Sequence, residues 1–126
     1  MNSVKKKILC VDDNSVHNII LKETLNTLYD VMTVGSAKEC LDVIEDFKPE
    51  ILISDIKMPE MSGYELCSEV KKCSGLRGLR VILISANVTF KDRIKAYESG
   101  ADDFIAKPLD GDELLAKVNV HLRLKS

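Results

Sequence analysis

This sequence has no long apolar run. Its longest stretches, Ile8-Leu9-Cys10-Val11 and Val81-Ile82-Leu83-Ile84, are four residues each, against the roughly twenty that a bilayer-spanning helix needs. A helical membrane span is therefore excluded. A signal-peptide pattern is missing too. Met1-Asn2-Ser3-Val4-Lys5-Lys6-Lys7 is basic, but the apolar run behind it stops at Asp12. There is no basic stripe: the 18 Lys and Arg are scattered and the net charge is −2, so bulk charge favours neither nucleic acid nor an anionic membrane as a direct partner. None of the four cysteines, Cys10, Cys40, Cys67 and Cys73, forms a C-x-x-C pair. They read as reduced thiols of a cytoplasmic protein, not as a metal knuckle or a disulfide framework. The two histidines, His17 and His121, have no Cys or acidic partner in metal spacing and are expected to be solvated. No repeat, low-complexity segment or linker interrupts the chain.

What is present is a regular alternation. With 126 residues, 45% of them apolar and 30% charged, the chain has the length and composition of one globular domain with a proper core. Short apolar runs occur at 8–11, 31–34, 51–53, 81–84 and 104–106. Helical patterns follow each of them. Asn14-Ser15 opens the first, with Val16, Ile20, Leu21, Leu25 and Leu28 as its expected apolar face. Ser36 caps a second, carrying Ala37, Leu41, Ile44 and Phe47, and Pro49 stops it. Ser62 caps a third through Leu66, Cys67 and Val70. Phe90, Ile94 and Tyr97 mark a fourth, closed by Gly100. Asp110 caps the last, with Leu114, Leu115, Val118 and Leu122. Five β-α units with wholly apolar strands predict a doubly wound parallel sheet, flavodoxin-like (βα)5, in the order 2-1-3-4-5. A closed barrel would need eight units and about twice the length.

The strand ends carry the chemistry. The first apolar run ends in Asp12-Asp13, the third in Asp55, the fourth in Ser85 and the fifth in Lys107. Ligands of open parallel sheets bind at this edge. If the first and third strands are neighbours, three carboxylates share one pocket with a hydroxyl and an ammonium. Two unit charges about 4 Å apart repel by roughly 4 kcal/mol at an effective dielectric near 20. A hard divalent cation offsets this; oxygen-only donors point to Mg²⁺ (or Mn²⁺). The alternative is a carboxylate that keeps its proton. A carboxylate, a divalent cation, a Lys and a hydroxyl are the parts of a phosphoryl-transfer site.

Four blocks stand in order: Ile8-Leu9-Cys10-Val11-Asp12-Asp13, Asp55 through Met58-Pro59 to Glu65, Ile84-Ser85-Ala86, and Gly100 through Asp102-Asp103-Phe104 to Lys107-Pro108. Together they resemble the receiver domains of two-component response regulators, over about residues 4–123. The resemblance implies that Asp55 is the phosphoacceptor. Asp13 matches the direct Mg²⁺ ligand and Asp12 the acid that holds the metal mainly through water, and the backbone carbonyl of Lys57 completes the metal site. Lys107 matches the phosphoryl-contacting lysine, Ser85 the switch hydroxyl and Phe104 the switch aromatic. The Lys107–Pro108 bond is implied to be cis, and Lys57 and Asn87 to tune dephosphorylation. On this reading phosphorylation draws Ser85 inward and lets Phe104 bury. The implied partners are a sensor histidine kinase or histidine phosphotransfer protein, a downstream effector or fused output domain, and a second copy through the helix 4–strand 5–helix 5 face.

Other classes fit less well. A Mg²⁺-dependent phosphohydrolase of the kind that carries a second Asp two positions after its nucleophile would need one at position 14, where Asn14 stands. A flavin-binding domain needs a phosphate cradle after the first strand, and Asp12-Asp13 would repel it. A degenerate receiver would not keep the acids. The expected chemistry is therefore the domain's own phosphorylation and dephosphorylation, not turnover of external substrates. The sequence ends just past the last helix, which fits either a stand-alone receiver or an excised piece of a larger regulator.

Overall fold

The computed structural model describes residues 4–124. Five strands, β1 (Lys7–Val11), β2 (Asp30–Val34), β3 (Ile51–Asp55), β4 (Arg80–Ser85) and β5 (Asp103–Ala106), alternate with α1 (Ser15–Leu25), α2 (Ala37–Phe47), α3 (Gly63–Lys72), α4 (Phe90–Glu98) and α5 (Gly111–Leu124). All strand pairs are parallel and the order is β2-β1-β3-β4-β5. This is the flavodoxin-like arrangement that the alternation predicts.

Side chains alternate across a strand, so each strand feeds two cores. Leu9, Val11, Leu52, Val81, Leu83 and Phe104 pack with α2, α3 and Ala96 of α4 on one face. Ile8, Cys10, Ile53, Ile82, Ile84 and Ile105 pack with α1 and α5 on the other. Ile8, Leu9, Leu52, Ile53, Leu83 and Ile105 are fully buried. Each such side chain contributes about 1.5–3 kcal/mol relative to exposure, so burial on both faces fixes strand register.

The caps form as the sequence suggests. Asn14 accepts from the amides of Val16 and His17. Ser62 and Glu65 form a capping box. Asp110 accepts from the Asp112 and Glu113 amides. Gly100 adopts φ +102 after α4. Three expected apolar faces are corrected; in α2, Leu41 is exposed and Cys40 is buried with Ala37 and Ile44. In α1 the buried residues are Asn18, Leu21 and Leu25, while Val16 and Ile20 are exposed and Leu28 lies beyond the helix. In α4 only Ala96 is buried; Phe90, Ile94 and Tyr97 face outward. A single small residue brings α4 close enough to the sheet, so its large side chains are left on the surface.

Candidate functional site at the strand ends

The β1–β3 pairing sets the site. Val11 is in register with Ser54, so the residues that follow, Asp12 and Asp55, meet at the carboxyl edge. Asp12 is 3% exposed and Asp55 7%, whereas Asp13 is exposed. One carboxylate oxygen from each of Asp12, Asp13 and Asp55 lies within 4.8 Å of the others. Lys107 enters from the end of β5. Its Nζ lies 2.9 Å from Asp55 Oδ1 and 3.7 Å from Asp12 Oδ2. Three carboxylates against one ammonium leave a local charge of about −2, and all the acidic donors are oxygen. The cluster fits a hard divalent cation.

The electrostatics agree with that deficit. Burial pushes the Asp55 carboxyl above its ordinary value; Lys107 pulls it down, and the neighbouring charges of Asp12 and Asp13 push it back up. The net direction is upward, so the pocket without a cation resists full ionisation.

The loops are held by backbone-directed contacts. Asp12 Oδ1 accepts from the Asn14 amide at 2.9 Å. Buried Asn18 donates to the carbonyls of Asp12 (2.9 Å) and Val34 (3.0 Å), joining the ends of β1 and β2. Sequence reading missed Asn18; a polar residue on the buried face of α1 was the available signal. The Gly63 amide donates to the Ile56 carbonyl, folding the β3–α3 loop back on itself. A Cβ at Gly63 would overlap the Asp55 carbonyl oxygen and lie 2.9 Å from Ile56 Cα, so the position admits only glycine.

The remaining predicted residues lie around this pocket. Ser85 is 5% exposed, and its hydroxyl accepts from the Asn87 amide at 3.0 Å. Lys57 and Asn87 are exposed and line a cavity with Ser85, Tyr64 and Lys95. The Lys107–Pro108 peptide is cis. Phe104 is buried, 6% exposed, among the residues that pack against α2–α4.

Both histidines depart from the solvated expectation. His17 is half-buried, and its Nδ1 lies 3.2 Å from both Asp12 Oδ2 and Lys107 Nζ. The helix start brings it to residues five and ninety positions away, which spacing along the chain cannot reveal. His121 is buried, with Nε2 2.9 Å from Asp103 Oδ2. It ties α5 to β5 away from the acidic pocket.

The chain matches the response regulator receiver domain over residues 8–119. It belongs to that family. The receiver domain is 36% identical over 120 residues to a probable transcriptional regulator, ycf27, of Guillardia theta, covering 94% of this chain and 46% of the relative. It therefore spans about half the length of the curated relatives it matches. A CheY-like receiver domain protein from Methanospirillum hungatei superposes with a TM-score of 0.88 at 31% identity, covering 98% of this chain and 97% of that one. The receiver domain of a signal transduction histidine kinase from Syntrophus aciditrophicus gives 0.86 at 35% identity, with 94% and 90% covered. The protein is thus a receiver domain of the two-component type, and its acidic cluster fits a receiver metal site. No helix among the described residues is long and apolar enough to cross a membrane.

Proposed function

We propose that Asp55 accepts a phosphoryl group from the phospho-histidine of a sensor histidine kinase or a histidine phosphotransfer protein. The observation that carries this is the Lys107–Asp55 contact of 2.9 Å inside the three-carboxylate cluster. An Asp55 carboxylate oxygen attacks phosphorus, the P–N bond of the donor breaks, and the donor imidazole leaves with the bonding electrons. Lys107 stabilises charge on the phosphoryl oxygens. Asp12, Asp13, Asp55 and the backbone carbonyl of Lys57 would hold Mg²⁺ (or Mn²⁺), Asp12 mainly through water. That ion supplies further charge neutralisation.

Ser85 donates its hydroxyl hydrogen to a phosphoryl oxygen, which its acceptance of the Asn87 amide does not prevent, because a hydroxyl donates and accepts at once. The β4–α4 loop then moves, a population shift driven by local charge. Exposed Phe90, Ile94 and Tyr97 support the α4–β5–α5 side as the output surface, read by an effector, a fused output domain or a second copy. Lys57 and Asn87, beside the pocket, govern access of the hydrolytic water. The functional unit is residues 4–123, and the buried thiols Cys10, Cys40 and Cys67 fit a cytoplasmic setting. The domain acts on itself and turns over no external phosphoester; its net charge of −2 gives it no direct hold on nucleic acid.

The test is acetyl phosphate or beryllofluoride with Mg²⁺, followed by mass and amide NMR. Wild type forms an adduct and Asp55→Asn does not. An undiminished adduct in Asp55→Asn overturns the assignment.

A further inference from the structure

Lys107 has a third partner beside its two carboxylates. His17 Nδ1 lies 3.2 Å from Lys107 Nζ. An ammonium offers only donors, so the ring nitrogen that faces it presents its lone pair, and the ring proton is assigned to Nε2. Nδ1 also lies 3.2 Å from Asp12 Oδ2, and the ammonium, 3.7 Å from that same oxygen, offsets the approach of two acceptors by its charge and not by a hydrogen bond to Asp12. Lys107 therefore has acceptors within hydrogen-bond distance in Asp55 and His17, with Asp12 at ion-pair distance.

We propose that His17 is a positioning residue for Lys107 in phosphoryl uptake. A lysine side chain is long, and two carboxylates on one side do not fix its ammonium laterally. The ring supplies the missing acceptor from α1. It also stands on the open side of the site: His17 and Lys107 line a cavity with Ile20, Ala86, Pro108 and Leu109, and the His17 side chain is 39% exposed. The ring thus holds the ammonium at Asp55 and away from the solvent-filled space beside it. A lysine held in place loses less freedom when the phosphoryl oxygens arrive, so the benefit appears in the chemical step. Metal binding is left to the acids.

The inference rests on Asp55 being the phosphoacceptor, so the two are tested apart. Adduct formation on wild type and its loss in Asp55→Asn test that reading. His17→Ala and His17→Asn test the inference, with acetyl phosphate as donor at saturating Mg²⁺. Asparagine places an acceptor oxygen near the Nδ1 position. The expected result is a maximal phosphorylation rate about three- to tenfold lower in His17→Ala, with the KM for acetyl phosphate and the Mg²⁺ affinity changed less than about twofold, and a rate largely recovered in His17→Asn. A wild-type rate in His17→Ala overturns the proposal. So does a parallel loss of Mg²⁺ affinity, which makes His17 a support of Asp12, or an Asn variant no better than Ala. Unfolding curves of the two variants, expected to overlay, guard against a fold defect.

Discussion

Lys107 Nζ and Asp55 Oδ1 are 2.9 Å apart, although 52 positions separate them in the chain. This pair is where the end of β5 meets the end of β3 across β4. Replacing Lys107 with Ala leaves three carboxylates without their ammonium. Stability of the metal-free protein at pH 7 is expected to fall by about 1–3 kcal/mol, because a mostly buried charge loses its partner. Urea unfolding with and without Mg²⁺ checks this: the deficit shrinks when the cation is present. An equal deficit in both conditions would show that Lys107 contributes only packing.

Asp55→Asn is expected to act in the opposite sense. The folded-state value of the Asp55 carboxyl is raised by burial and by Asp12 and Asp13. A raised acid gives stability that is present at low pH and lost as pH rises through the folded value. At pH 7 the ionised side chain therefore costs stability, and the amide removes that cost. We expect a gain on the order of 1 kcal/mol without Mg²⁺, read as a melting temperature a few degrees higher. The gain vanishes at a pH below the ordinary carboxyl value, and added Mg²⁺ reverses it in favour of wild type.

Asp102 behaves as a conventional stabilising acid. Burial pushes its carboxyl up, but bonds from Lys71 (2.7 Å) and the Val81 amide (2.8 Å), with Arg80 nearby, outweigh this and hold it low. Stability from a lowered acid is present above the ordinary value and lost as pH falls through the folded one. Asp102→Asn is expected to cost about 1–2 kcal/mol at neutral pH. In strong acid the two proteins should converge. Denaturation midpoints across the acid range decide the matter, and a gap that persists below the folded value would contradict it.

Gly63→Ala is expected to cost more than its single methyl suggests. The added carbon meets the backbone of Asp55 and Ile56, not a flexible side chain. The loop must shift, which moves Asp55 itself. We expect a loss of about 2–4 kcal/mol and slower adduct formation together. Normal stability with a normal phosphorylation rate would show that the loop yields at no cost.

Much of this molecule was legible along the chain. Apolar strands ending in Asp12, Asp55, Ser85 and Lys107 carried the β-α rhythm, and the caps at Asn14, Ser36, Ser62 and Asp110 are local hydrogen-bond chemistry. Local signals survive because neighbouring residues create them. Helix faces were less legible. Of the stripe expected for α1, Leu21 and Leu25 reach the sheet while Val16 and Ile20 do not, and α4 reaches it through Ala96 and not through the Phe90, Ile94 and Tyr97 that mark the helix. Periodicity finds an apolar stripe but does not say which stripe meets the sheet when large residues stand on both sides.

The sequence by itself determined the residue types at each strand end, because runs that must be buried on both faces of a parallel sheet leave charge only where they stop. Only the tertiary structure decided which of those charges meet. Strand order set Asp12 beside Asp55, β5 delivered Lys107 from the far side of β4, and the first turn of α1 brought His17 against that lysine. Contacts between residues tens of positions apart depend on where whole elements dock. Docking is settled by the summed burial of two cores, not by any spacing along the chain.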